Sequence, residues 1–229
     1  MRALRTLREC DLVVAEDTRH TGSLLKNFGI SKPLLSCFRF NEAKRSTEII
    51  EKLRQGNRLA LVTDAGSPGI SDPGTRVVRA VLDAGFRVES VPGPCALVAA
   101  LSACGLPTDE FHFAGFLPQK SGQRRKRLEI LLQLSSTLIL YESPYRIEKL
   151  LTELLGLAAD RPVVIAREIT KRFEEFLRGT PAELLHEIKQ HPRKGEFVVL
   201  IGGVEGKMRP PPTVTEVEQF RLSRVIRET

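Results

Sequence analysis

The stretch V-T-D-A-G-S-P-G-I-S-D-P-G, residues 62–74, limits what this chain can fold into more than any other. An apolar run, residues 59–62, leads straight into it, and a helical pattern, residues 75–84, leads out. The reading is a buried strand, a Gly- and Pro-rich loop, then a helix. In parallel α/β sheets, ligands bind outside the carboxyl ends of the strands, where such a loop stands. Gly66, Gly69 and Gly74 allow positive φ and close backbone approach. Pro68 and Pro73 restrict the loop before any ligand arrives. Asp64 and Asp72 add acceptors. The spacing is neither that of a P-loop nor that of a dinucleotide fingerprint. An ordinary strand-to-helix connection is the plain alternative, and few of those concentrate Gly, Pro and Asp so heavily.

Strand and helix patterns alternate on both sides of this loop. Strands are expected at residues 12–15, 34–38, 59–62 and 86–91, with helices between them and a further helix over residues 95–103 opened by V-P-G-P. The segment G-L-P-T-D, residues 105–109, reads as a linker. A second alternating set follows, with strands at 111–116, 137–141, 163–166 and 197–201 and helices at about 123–134, 146–155 and 181–189. Such alternation predicts two α/β domains with parallel sheets, at 1–105 and 106–205. Residues 206–229, with M-R-P-P-P and a polar stretch behind it, read as a linker and a short tail helix.

The chain is 41% apolar and 28% charged, which suits a globular protein with a core. Neither a membrane-spanning run nor a signal-peptide core is present, and the four cysteines lack C-x-x-C spacing, so a reducing cytoplasm is expected, and no metal site. Cys95 and Cys104 read as buried thiols. A net charge of +7 favours an acidic partner such as nucleic acid. Lys120, Arg124, Arg125, Lys126 and Arg127 concentrate that charge. They read either as phosphate contacts or as a solvated helix face.

Polar clusters follow five apolar segments: E-D-T-R-H, D-A-G-S-P, P-G-P-C, E-S-P-Y-R and R-E-I-T-K. Their register predicts a large site. The acids Glu16, Asp17, Glu142 and Glu168 and the bases Arg19, Arg146, Arg167 and Lys171 suit a zwitterionic or phosphate-bearing ligand pair, or else pair off structurally.

Taken with V-P-G-P-C-A, G-F-L-P, Y-E-S-P-Y-R and R-E-I-T-K, the 62–74 loop resembles the ribosomal RNA small-subunit methyltransferase I family, of the tetrapyrrole-methylase fold. The resemblance runs from about Arg2 to Gly202. It implies two α/β domains with a cofactor cleft between them, a homodimer, S-adenosylmethionine as methyl donor, and 2′-O-methylation of a cytidine in the decoding region of 16S rRNA. By motif, it implies that Ala65, Gly66, Ser67, Ile70, Pro94, Cys95, Ala96, Tyr141 and Ala166 meet the cofactor. Asp17, Glu142, Glu168 and Lys171 are then candidate bases or orienters, with no choice among them. Arg19, Lys120, Arg124, Arg125, Arg127 and Arg146 are candidate RNA contacts. The family also carries a strand and a T-P-I-G-N-like loop ahead of the R-A-L found here at Arg2 to Leu4. The expectation is therefore an N-terminally shortened chain whose first sheet lacks one strand. The alternatives are a tetrapyrrole methylase and an inactive RNA-binding or dimerising homologue.

Overall fold

The computed structural model describes residues 2–203. The expected linker and tail helix at 206–229 lie outside them. The chain divides after Ala96 into two compact units.

The first unit holds a parallel sheet of order β2-β1-β3, formed by β1 (Leu12–Ala15), β2 (Leu34–Ser36) and β3 (Leu59–Val62). Val13 stands level with Leu34 and Ala60, and Val14 with Leu35 and Leu61. Because side chains alternate across a strand, these two rows face opposite ways. Val13 and Ala60 pack with Leu7 of α1 (Arg2–Glu9) and Leu25 of α2 (Thr18–Asn27). Val14 and Leu35 pack with Ile49 of α3 (Glu42–Arg54) and with Val77 and Val81 of α4 (Thr75–Asp83). Helices thus cover both faces, as near-continuous apolar strands require.

The expected strand at residues 86–91 is not formed; that segment joins no sheet among the described residues, and its Ser90 carbonyl accepts from the Arg2 guanidinium at 3.1 Å. Its F-R-V-E-S-V alternation suits a strand, but a strand is defined by its neighbour, and β3 pairs only with β1 among the described residues.

The second unit begins with α5 (Ala96–Cys104), ahead of the G-L-P-T-D segment rather than after it. Two ties hold α5 to this unit's sheet. The Leu97 N–H donates to the Tyr141 hydroxyl at 3.2 Å, and the Arg178 guanidinium donates to the carbonyls of Ala103 and Cys104. The sheet has the order β4-β5-β8-β6-β7, built from β4 (Phe111–Phe116), β5 (Thr137–Glu142), β6 (Val163–Arg167), β7 (Glu175–Gly179) and β8 (Phe197–Ile201). Only β4 and β5 run parallel; β8 lies between β5 and β6, antiparallel to both, and β7 is an antiparallel edge. The parallel sheet expected here is therefore corrected to a mixed one, and β7 is an additional strand. Leucines of α6 (Ser121–Leu131), α7 (Ile147–Leu157) and α8 (Pro181–Gln190) bury one face of it.

Candidate active site

Since β1, β2 and β3 are parallel, their carboxyl ends open on the same side of the sheet. The residues just beyond those ends line an open cavity of about 450 Å³: Glu16, Asp17, Thr18 and Arg19 after β1, Ser36 and Phe38 at β2, and Asp64 after β3. Asp17 caps α2, accepting the Arg19 N–H at 2.8 Å, and its carboxylate also holds the Arg19 guanidinium at 2.6 Å. These bonds hold the Asp17 carboxyl well below the usual carboxylate range. Asp64 Oδ1 accepts the Asp17 N–H at 3.2 Å, and Asp64 Oδ2 lies 3.3 Å from His20 Nδ1. Asp17, His20 and Asp64 thus bring one possible ligand atom each within 4.8 Å of the others. Arg19 already supplies the compensating positive charge at Asp17.

The 62–74 loop turns on glycines with φ of 75° at Gly66, 81° at Gly69 and 133° at Gly74. Gly74 is the most confined of the three. A Cβ there would meet Leu61 at 3.2 Å and Gly69 and Pro68 at 3.3 Å, and its N–H donates to the buried Glu42 carboxylate at 2.8 Å. Gly66 faces open space; a Cβ there would find only an Asp72 oxygen at 3.8 Å. A side chain at Gly66 therefore opposes the backbone angle rather than striking the protein. Ser67 Oγ donates to the Pro94 carbonyl at 2.9 Å. That bond brings together two segments expected to hold the cofactor, around Ala65 to Ile70 and Pro94 to Ala96. Cys95 is half-buried rather than buried.

In the second unit the expected residues fare differently. Tyr141 packs edge-on against Phe113 and Phe116 and fixes the first turn of α5 through Leu97. Ala166 is fully buried in mid-sheet, which leaves its side chain no surface for a ligand. Glu142 is 2% exposed; its Oε1 accepts from the Ser143 N–H and from Arg146 Nε at 2.7 Å. Glu142 Oε2 is a buried polar atom without a partner among the described residues. Glu168, at φ 49°, accepts from the Glu196 N–H and from Lys171 Nζ. Those bonds lower the Glu168 carboxyl, while Glu196 and Glu168 together raise the Lys171 ammonium. Each of the two is thus held in its charged form by its neighbours.

The basic helix α6 is not uniform. Arg124 is 3% exposed and grips Glu153 of α7 through two hydrogen bonds of 2.7 and 2.8 Å. It is therefore corrected from an RNA contact to a helix-packing residue. Lys120, Arg125, Lys126 and Arg127 are exposed. Arg146 is spent on Glu142 and the Leu117 carbonyl.

Sequence reasoning missed Ser36 and Phe38 in the cavity wall and Glu42 as the anchor of Gly74. For Ser36 and Phe38 the available signal was position, at or just after the end of an apolar strand; Glu42, the first residue of α3, carried no such signal.

Over residues 1–185 the chain matches the tetrapyrrole (corrin/porphyrin) methylases. It is 44% identical over 209 residues to "Ribosomal RNA small subunit methyltransferase I" of Halalkalibacterium halodurans, covering 91% of this chain and 72% of the relative. The Xylella fastidiosa protein of that name is 49% identical, covering 88% of this chain and 75% of its own. Among solved structures, the methyltransferase CobJ superposes with a TM-score of 0.65 at 20% identity, covering 92% of this chain and 90% of CobJ. Uroporphyrin-III C-methyltransferase from Thermus thermophilus, solved with S-adenosyl homocysteine, gives 0.57 at 20% identity, covering 87% and 89%. At such identity these structures speak to the fold alone.

Proposed function

The chain belongs to the ribosomal RNA small subunit methyltransferase I family of the tetrapyrrole methylases, and from that premise we propose that it transfers a methyl group from S-adenosylmethionine to the ribose 2′-oxygen of a cytidine in the decoding region of 16S rRNA. The observation that carries this reading is the Ser67 to Pro94 bond, which joins two family motifs into one surface beside the strand ends of a parallel sheet. The open space at Gly66 fits a ligand laid against the backbone. Ala65, Gly66, Ser67, Ile70, Pro94, Cys95 and Ala96 are the proposed cofactor residues of the first unit. When bound, S-adenosylmethionine supplies a methyl group made electrophilic by its sulfonium.

The chain's own contribution is then alignment. Glu142 is buried, Glu168 and Lys171 are locked to each other, and Asp17 is held as a weak base by Arg19. None combines an open approach with a free, uncommitted basic atom, as a general base requires. We therefore propose that the chain positions the 2′-hydroxyl and that its proton leaves to water, with proximity supplying the acceleration. General base catalysis contributes about 10²–10⁴-fold, so Asp17→Asn should lower kcat by less than about tenfold. Lys120, Arg125 and Arg127 are proposed to meet rRNA phosphates, with Arg19 at the cavity. The family resemblance extends the proposal to a homodimer in the cytoplasm. No helix among the described residues is long and apolar enough to cross a membrane.

The test is incubation with tritiated S-adenosylmethionine and small ribosomal subunits from cells lacking the family enzyme. Label in a cytidine ribose is expected. Label in a base, or in a corrin but not in RNA, would overturn the reading.

A further inference from the structure

The cavity at the ends of β1, β2 and β3 has two unlike walls. One is acidic, made by Glu16, Asp17 and Asp64. The other is the ring of Phe38, 42% exposed, with Phe40 set edge-on against it at 6.5 Å and 91% exposed. The α3 helix is anchored by Glu42, and the turn is closed by Asn41, whose side chain accepts the Phe38 N–H at 2.8 Å. Asp17 is paired with Arg19, and Glu16 and Asp64 leave the wall acidic on balance, which suits a hydrogen-bond donor better than a phosphate. A flat ring with hydrogen-bond donors on its edge suits both walls.

We propose that the cavity takes an unstacked RNA base carrying an exocyclic amine, with Phe38 as its stacking face and the Asp64 carboxylate as acceptor for the amine. This rests on RNA being the substrate. Proteins read single-stranded RNA by stacking bases on aromatic rings and bonding their Watson–Crick edges. Enzymes that act on one nucleotide of a strand draw it out and read it the same way. Carboxylates accept from the amine of cytosine, whereas uracil presents a carbonyl at that edge and meets repulsion. Asp64 Oδ1 is engaged by the Asp17 N–H, which leaves Oδ2, beside His20, as the reading atom. Arg19, its side chain 86% exposed, lines the cavity beside Asp17, where a phosphate flanking the base can reach it.

The experiment uses the full chain and three labelled five-nucleotide RNAs, uridines throughout except for C, A or U at the centre, with affinity read by fluorescence anisotropy. The C and A strands should bind about 5- to 150-fold more tightly than the all-uridine strand. Asp64→Asn keeps an oxygen for the Asp17 N–H and puts an amide donor at the reading position, so the preference should vanish or turn towards uridine. Phe38→Leu keeps apolar bulk but loses the flat ring; it should weaken binding of the C strand about fivefold or more and leave S-adenosylmethionine affinity unchanged. Absent or equal binding of the three strands by the unaltered chain overturns the inference. So does a preference that survives Asp64→Asn, or unchanged affinity in Phe38→Leu. Label transfer to rRNA without base preference would overturn this inference alone; base preference without label transfer would overturn methyl transfer alone.

Discussion

Two strand ends that read alike in the sequence do different work. β1 runs into Glu16-Asp17-Thr18-Arg19, and β5 ends in Glu142 ahead of Ser143-Pro144-Tyr145-Arg146. Each offers an acid and an arginine beyond an apolar strand, and each pair forms an ion pair. Asp17 and Arg19 stand open at a cavity, whereas Glu142, the last residue of β5 with strands on both sides, is 2% exposed. The acid of the first pair can meet a ligand. The acid of the second holds a turn in place. A strand end predicts a site only when the sheet around it leaves that end uncovered.

Stability measurements should separate the two most widely. Glu142→Ala leaves Arg146 without its buried partner and should cost about 3–5 kcal/mol. Asp17→Ala loses a helix cap and should cost about 1 kcal/mol. Urea denaturation of the two variants checks this, and equal losses would erase the distinction. Within the 62–74 loop, Gly74→Ala meets both a forbidden φ and close neighbours. It should cost about 1–3 kcal/mol and act through folding rather than through ligand affinity. A Gly74→Ala chain as stable as the parent would show that the loop relaxes freely.

The arginines of α6 offer the same contrast on one helix. Arg125→Gln with Arg127→Gln should flatten the salt dependence of RNA binding, by roughly 0.7–0.9 in log–log slope for each phosphate no longer neutralised. Arg124→Gln should leave the slope alone and lower the melting temperature instead, because its partner Glu153 is largely buried. A slope that responds to Arg124 and not to Arg125 and Arg127 would reverse the assignment.

The smallest effect is that of pH. Glu168 and Glu175 are held below the ordinary value of 4.5, mainly by the Glu196 N–H with Lys171 and by Arg193 respectively. A carboxyl depressed in the folded state stabilises it fully above its unfolded value and loses that contribution as pH falls through its folded one. The melting temperature should therefore hold down to about pH 4.5 and decline below it. Arg193→Ala should make that decline shallower. An unchanged acid limb in Arg193→Ala would mean that the network has no part in it.

Much of this was legible beforehand for physical reasons. β1 and β3 are short apolar runs bounded by turn residues, and such strands read the same whatever pairs with them. The 62–74 loop announced itself through residues that few ordinary connections need. Arg124 was misread as an RNA contact although the signal was there, since it shares a helix face with Leu128 and Leu131 at i, i+4 and i+7, and both leucines are buried. What escaped was pairing over long distances. β7, within R-F-E-E-F-L-R-G, is an edge strand and carries charge as edges do, so its pattern resembled a loop. No local pattern places β8 between β5 and β6. Residues 86–91 alternate as a strand should, but alternation supplies no partner.

Everything proposed about methyl transfer depends on the 62–74 loop, bonded to Pro94 through Ser67, being a cofactor surface. Calorimetric titration of the full chain with S-adenosylmethionine probes that dependence without any other component. Binding near micromolar, about 8 kcal/mol, is expected, with a loss of at least about tenfold in Gly66→Val while the variant stays folded. A branched side chain there fills the open space over the backbone. A Gly66→Val chain that is folded and binds as tightly as the parent would contradict the cofactor surface, as would a parent chain that does not bind at all.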